Sequence, residues 1–251
     1  MNIYTYGDDR RTFACKKHLE EGGIRTVFSR LILLPLPSTR DGVHITGTDI
    51  PLCALPLECA LLVGYGLSEA VKKKCEALGG AFLDLKDDEE FIAHNAHLTA
   101  LGMLGHLLTN SGRAVAECRV GIIGYGRIGK ELTRYLLFLG AKVRVYTSSA
   151  KTRQSLGEYG IESVLCTYGS DERCDFGELD VLINTAPAPL VRLGDIHDAL
   201  SLYELASGKN IEDGVEYTAL PSLPAKMYPE SSGLLYYRAV MRYLGAKGGA
   251  L

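Results

Sequence analysis

Gly121-Ile122-Ile123-Gly124-Tyr125-Gly126-Arg127-Ile128-Gly129 decides how this chain is read. A strand pattern, residues 119–123, leads into it; a helix pattern, residues 127–139, leads out; a second strand pattern, 142–146, follows. Glycines at this spacing, between a strand and a helix, mark a turn that holds a dinucleotide. Gly124 permits the tight turn, Gly126 lets the backbone approach a pyrophosphate, and Gly129 lets helix and strand pack closely. The helix N-terminus offers unsatisfied N–H groups and the positive end of a dipole. Arg127 and Ile128 open that helix and join the three glycines as cofactor-binding candidates.

The strand that follows ends Tyr146-Thr147-Ser148-Ser149. An NAD-binding fold has Asp or Glu there, about 20 residues beyond the glycines, to bond the ribose hydroxyls. Here Thr147, Ser148 and Ser149 supply hydroxyls, and Lys151 and Arg153 supply cations. Such a set suits a phosphate, so the sequence points to NADP in preference to NAD. Asn184, Thr185 and Ala186 close a later strand, 181–184, and are expected beside the nicotinamide ribose.

Composition sets the outer limits. Apolar residues make up 47% and charged residues 23% of 251, an ordinary globular balance that allows two small domains. The net charge of -3, without a basic run, argues against nucleic acid as a partner. The seven cysteines show no Cys-x-x-Cys pair, and they read as small hydrophobes in a reducing compartment rather than as metal ligands or nucleophiles. The first residues lack a signal-peptide pattern. No apolar run approaches about 18 residues, so no membrane span is expected and a cytoplasmic location is.

Outward from the glycine motif, strand and helix patterns alternate. Strands are expected at 2–6, 24–28, 31–34, 60–63 and 81–85, with helices at 10–21, where Phe13, Ala14 and Leu19 would be buried, and 68–78. A helix at 95–108, rich in small residues, reads as the connector between domains. Beyond it come strands at 119–123, 142–146, 163–166, 181–184, 202–205 and 218–220, and a final helix at 231–244. The fold class that follows is α/β with two doubly wound parallel sheets. Residues 1–93 form a flavodoxin-like substrate domain onto which 229–251 pack back, and 94–228 form a Rossmann dinucleotide-binding domain.

The glycine motif with Phe138-Leu139-Gly140-Ala141-Lys142-Val143 resembles the cofactor domain of the D-2-hydroxyacid dehydrogenase superfamily. Over nearly the whole chain a narrower resemblance holds, to the dipicolinate synthase A-subunit family. Gly7-Asp8-Asp9-Arg10 resembles its Gly-Asp-x-Arg turn, and residues 33–42 resemble its Leu-Pro loop. Asn95-Ala96-His97-Leu98-Thr99-Ala100-Leu101-Gly102 resembles its Asn-x-x-x-Thr-x-Glu-Gly segment, with Leu101 in place of Glu and Leu98 in place of a Pro. Leu205-Ala206-Ser207-Gly208 and Leu220-Pro221-Ser222-Leu223-Pro224 resemble two late segments, with Ser222 and Ala225 in place of glycines. The resemblance implies a two-domain protein that oxidises a dihydrodipicolinate to dipicolinate with NADP in spore formers. It also implies a partner, the flavoprotein-like B subunit of dipicolinate synthase; interdomain helices of the superfamily suggest a homo-oligomer.

Aromatisation drives that reaction, so the protein must chiefly orient the ring and hold two carboxylates. A cleft between domains is the expected place. Ser38, Thr39 and Arg40 on the Leu-Pro loop, Arg10 at the first helix and Thr99 on the connector are the substrate-binding candidates. His97, with Asn95, is the candidate for proton transfer, since His titrates near neutral pH, and His94 is the alternative base; no metal is called for. Two other readings stay open. A D-2-hydroxyacid dehydrogenase would need an Arg near Ala206-Ser207-Gly208 and a downstream His, yet no His follows His197. A cofactor-binding regulatory protein would bind without turnover.

Overall fold

Leu31-Ile32-Leu33-Leu34 and Ala60-Leu61-Leu62-Val63 are unbroken apolar runs, the pattern of parallel strands covered on both faces. The computed structural model describes residues 2–24, 26–167, 174–208 and 210–248. The chain divides into two units, Met1–Leu98 with Pro224–Leu251, and Thr99–Leu223.

In the first unit the strands β1 (Asn2–Thr5), β2 (Arg30–Leu33), β3 (Ala60–Gly64) and β4 (Ala81–Asp84) form one parallel sheet in that order. Side chains alternate across it. Leu31, Leu33, Leu61 and Val63 pack with Cys15 and Leu19 of α1 (Arg10–Gly22) and with Leu235, Tyr236 and Val240 of α7 (Pro229–Gly248). Ile32, Leu34 and Leu62 pack with Val71 and Cys75 of α2 (Glu69–Ala77). Helices therefore cover both faces. Tyr236 is wholly buried, and its hydroxyl lies 3.1 Å from the Leu34 carbonyl and 3.0 Å from that of Val63, joining α7 to two strands. Gly233 lets α7 approach α1, because a Cβ there would collide with Ala14.

Three expectations for this unit need correction. The β-prone stretch 24–28 is no strand at its described residues; the pairing partner of β1 begins at Arg30. Phe13 is 50% exposed, because the buried face of α1 carries Arg11, Thr12, Cys15 and Leu19 instead. The strand order follows the chain with β1 at the edge, unlike a flavodoxin-like sheet, whose first strand lies inside.

The second unit holds β5 (Arg119–Ile123), β6 (Lys142–Thr147), β7 (Glu162–Leu165), β8 (Val181–Asn184), β9 (Ser201–Glu204) and β10 (Thr218–Ala219). They form one parallel sheet in the order β10-β9-β8-β5-β6-β7. The order reverses between β8 and β5, the switch point at which doubly wound sheets take their ligands. Val120, Ile122, Val143 and Val145 face a core shared with α4 (Arg127–Phe138), α5 (Ala150–Glu158) and the second half of α3 (Glu89–Asn110). The other face, with Ile123, Tyr146 and Leu182, is covered by irregular chain, including Phe176, Val191 and Ile211. There the cysteine reading needs correction for two of the seven: Cys166 and Cys174 form a disulfide, with Cα atoms 6.1 Å apart. The short α6 (Leu223–Met227) carries no sequence periodicity that predicts it.

Candidate cofactor-binding site

β5 ends at Ile123 and the chain turns at once. Gly124 has φ +91°, the left-handed region that favours glycine. A side chain there would also stand 2.9 Å from Thr185 Oγ1 and 3.1 Å from Ala186 Cβ, so the loop after β8 lies directly against the turn. A Cβ on Gly129 would collide with the Gly124 carbonyl, which is how closely α4 packs on β5.

Gly126 differs from both. Its φ of -78° suits any residue, and apart from its immediate chain neighbours no protein atom lies within 4 Å of where its Cβ would be. Nothing in the protein therefore requires a glycine. Gly126 is also the N-cap of α4, and no side chain caps the helix. Bare backbone, open space and a helix N-terminus fit the approach of a dinucleotide pyrophosphate. Arg127 is exposed on the first turn of α4, whereas Ile128 turns onto the core of the unit.

At the end of β6, Thr147 is 6% exposed and its Oγ1 accepts the Ser149 N–H at 3.2 Å. Ser149 caps α5 by accepting the Thr152 N–H. Of the three hydroxyl residues, two thus build the turn, and Ser148 is exposed beside Lys151 and Arg153, which are also exposed. No carboxylate closes this strand.

At the end of β8, Thr185 Oγ1 donates to the Ile123 carbonyl at 2.8 Å and lies 3.3 Å from that of Gly124. Asn184 is 1% exposed and faces inward rather than toward a ligand. Its Nδ2 donates to Glu204 Oε2 at 2.8 Å, and its Oδ1 accepts the Ala186 N–H at 3.1 Å. The sequence reading missed Glu204. Its signal is a lone carboxylate in the run Leu202-Tyr203-Glu204-Leu205, and the β8–β9 register sets it directly opposite Asn184. Burial pushes the Glu204 carboxyl up from its ordinary value, against the pull of Asn184, the Ala206 N–H and Asn210.

In the first unit, Ser38 is fully buried and its Oγ accepts the Tyr65 N–H at 2.7 Å, so it builds its loop and is not displayed to a ligand. Thr39 Oγ1 donates to Asp41 Oδ1 at 3.1 Å and accepts the Gly42 N–H. Arg40 and Arg10 are exposed. The adjacent Arg11 is buried against Asp9 at 2.9 Å and donates to the Leu36 carbonyl, tying the glycine turn to the Leu-Pro loop. A second feature the sequence reading missed is His44 Nδ1 at 2.7 Å from Asp41 Oδ2. That contact, with the Val43 and His44 N–H groups, holds the Asp41 carboxyl well below the usual range. Asn95, His97 and Thr99 lie on α3. Asn95 and Thr99, four apart, share a helix face, whereas His97 is turned well away from it; Thr99 is 9% exposed. Among the described residues no cluster of His, Cys, Asp or Glu could hold a metal ion, and no helix is long and apolar enough to cross a membrane.

Residues 105–168 match the family described as D-isomer specific 2-hydroxyacid dehydrogenase, NAD binding domain. No curated protein matches the sequence. Among solved structures, the chain is similar to the dipicolinate synthase A subunit from Bacillus halodurans, with TM-score 0.75, 20% identity and 97% of each chain covered. It is similar to the corresponding dipicolinate synthase chain from Bacillus subtilis, with TM-score 0.76, 17% identity, and 100% of this chain and 98% of that one covered. For the NAD-complexed D-isomer specific 2-hydroxyacid dehydrogenase of Lactobacillus delbrueckii ssp. bulgaricus the TM-score is 0.50 at 11% identity, with 99% of this chain and 98% of that one covered. The chain thus shares the fold of these two dipicolinate synthase chains over nearly its whole length, and its residues 105–168 match the NAD-binding domain of the dehydrogenase family.

Proposed function

We propose that the protein is an oxidoreductase that uses a nicotinamide dinucleotide, NADP(H) in preference to NAD(H), to oxidise a dihydrodipicolinate to dipicolinate. The observation that carries the cofactor half is Gly126, a glycine that neither φ nor any neighbouring protein atom demands, at the uncapped start of α4. The end of β6 supports the NADP preference: Thr147 stands in place of a carboxylate, with Ser148 and Arg153 exposed beside it. The substrate half rests on the full-length likeness of fold to the dipicolinate synthase A-subunit family and on the segments that resemble that family.

The bound nicotinamide would accept a hydride from the dihydropyridine ring. A proton leaves with it and the ring becomes aromatic, so the protein's tasks are to orient the ring and hold two carboxylates. Arg40 and Arg10, both exposed cations of the first unit, suit carboxylate oxygens. His97 receives the proton; Asn95, on the other face of α3, and Thr39, whose hydroxyl is given to Asp41, take no part in this reading.

The test is titration of the purified chain with NADPH and NADH. Turnover of enzymatically generated dihydrodipicolinate with NADP follows, with and without the flavoprotein-like partner. Tighter binding of NADPH with formation of dipicolinate is expected. No binding of either dinucleotide overturns the cofactor assignment. Binding without turnover in both assays overturns the substrate and leaves either an oxidoreductase for a different substrate or a regulatory protein.

A further inference from the structure

Glu204 is 6% exposed, and among the described residues it has no cationic partner. Its oxygens take the Asn184 Nδ2 at 2.8 Å and the Ala206 N–H at 2.6 Å, and Asn210 also bonds to it. A buried carboxylate without a cation is a costly way to join two strand ends. A carboxylate differs from an amide in one respect relevant here: it only accepts. It therefore fixes which way Asn184 points. With Nδ2 held by Glu204, Asn184 must present Oδ1 to the Ala186 N–H. The same loop is fastened by Thr185 to the carbonyls of Ile123 and Gly124, and Thr185 and Ala186 lie against Gly124.

We propose that Glu204 is a positioning residue for the cofactor: by fixing the orientation of Asn184 it sets the Thr185–Ala186 loop against the Gly124 turn, on the nicotinamide side of the switch point. The inference rests on the cofactor assignment above. In a sheet of this order each half serves one mononucleotide. The β6 end belongs to the adenosine half and the β8 end to the other, so a fault at Glu204 is felt by the whole dinucleotide and not by adenosine fragments.

Glu204→Gln keeps the shape and supplies a donor where two donors already point, so one contact must fail. Binding of NADPH and NADH by this variant should weaken about tenfold, as a buried unmet donor requires. Binding of adenosine 2′,5′-bisphosphate, which lacks the diphosphate, should stay at the wild-type level. In the double variant Asn184→Asp with Glu204→Gln, the carboxylate and amide exchange places. The pattern of donors and acceptors is restored, and dinucleotide affinity should return. Should Glu204→Gln alone fail to fold, this exchange carries the test: it must fold and bind. Wild-type affinity for dinucleotides in Glu204→Gln overturns the inference. So does a parallel loss of dinucleotides and the fragment, or an exchange variant that folds without recovering affinity. If the wild-type chain binds the fragment and the dinucleotides not at all, the cofactor assignment fails first, and that outcome is distinct.

Discussion

The Cys166 N–H donates to the Thr147 carbonyl at 2.9 Å. The strand end proposed above to read the adenosine ribose is thus stitched to a cysteine that is itself bridged to Cys174. Just past the bridge, the Tyr146 hydroxyl donates to the Asp175 carbonyl at 2.7 Å, and the Tyr146 ring packs edge-on against Phe176. Both ends of the cross-linked segment are therefore anchored on β6.

Loss of that cross-link should destabilise the second unit. A short closed loop is worth roughly 2–3 kcal/mol in the chain-entropy account. Thermal melts with and without a dithiol reductant should differ for the wild type and coincide for the variant carrying both Cys166→Ser and Cys174→Ser. Identical wild-type melts in the two conditions would show that the bridge contributes nothing.

The glycines of the turn should separate binding from stability. Gly126→Ala meets open space at an ordinary φ, so the folded state should lose no more than about 1 kcal/mol, the difference between the two residues at an N-cap. Affinity for NADPH and NADH should fall roughly tenfold or more, because a Cβ would occupy the pyrophosphate approach. Gly129→Ala should instead lower the melting temperature, since its Cβ collides with the Gly124 carbonyl. Unchanged affinity in Gly126→Ala, by isothermal titration, would remove that glycine from the site.

Cofactor choice should follow Arg153. It is exposed on the first turn of α5, so Arg153→Ala is expected to fold normally. It should weaken NADPH by roughly tenfold and leave NADH nearly unchanged, given the strength of charge-assisted bonds to phosphate. Equal losses for both cofactors would assign Arg153 no part in reading a 2′-phosphate.

Burial raises the Glu204 carboxyl above its ordinary value, and the sign of the stability effect follows. Between the unfolded and the folded value the folded chain holds the extra proton, so stability falls as pH rises through that weakly acidic window. Urea midpoints should therefore decline with rising pH more steeply in wild type than in Glu204→Gln, which has no proton to lose there. Parallel pH profiles would contradict this account.

Much of the second unit is legible in the residues. The strands expected at 119–123 and 181–184 have the bounds the structure shows, because the apolar residues 120–123 and 181–183 are followed at once by Gly124 and Asn184. The order reversal at the switch point follows from the glycine motif. What escapes a reading of sequence depends on partners distant along the chain. Glu204 meets Asn184 only because β8 and β9 pair in one register. Among seven cysteines, spacing alone does not single out Cys166 and Cys174. In the first unit, residues 24–28 have the composition of a strand, yet the strand that pairs with β1 is 30–33. Ser38 carries the composition of a ligand-binding hydroxyl, but the Tyr65 N–H claims it.

Tyr236 bears on how the chain is made. The first unit is interrupted in sequence by the second, and its sheet is sealed by a hydroxyl that lies 202 residues after Leu34 and 173 after Val63. Domains generally fold as units while the chain emerges in order from the ribosome. The cofactor-binding unit, continuous from Thr99 to Leu223, is therefore complete during synthesis before the unit that began first has its closing helix. For that interval the nascent chain carries a finished dinucleotide fold downstream of an open sheet, whose apolar face around Leu33 and Val63 waits for α7 to arrive.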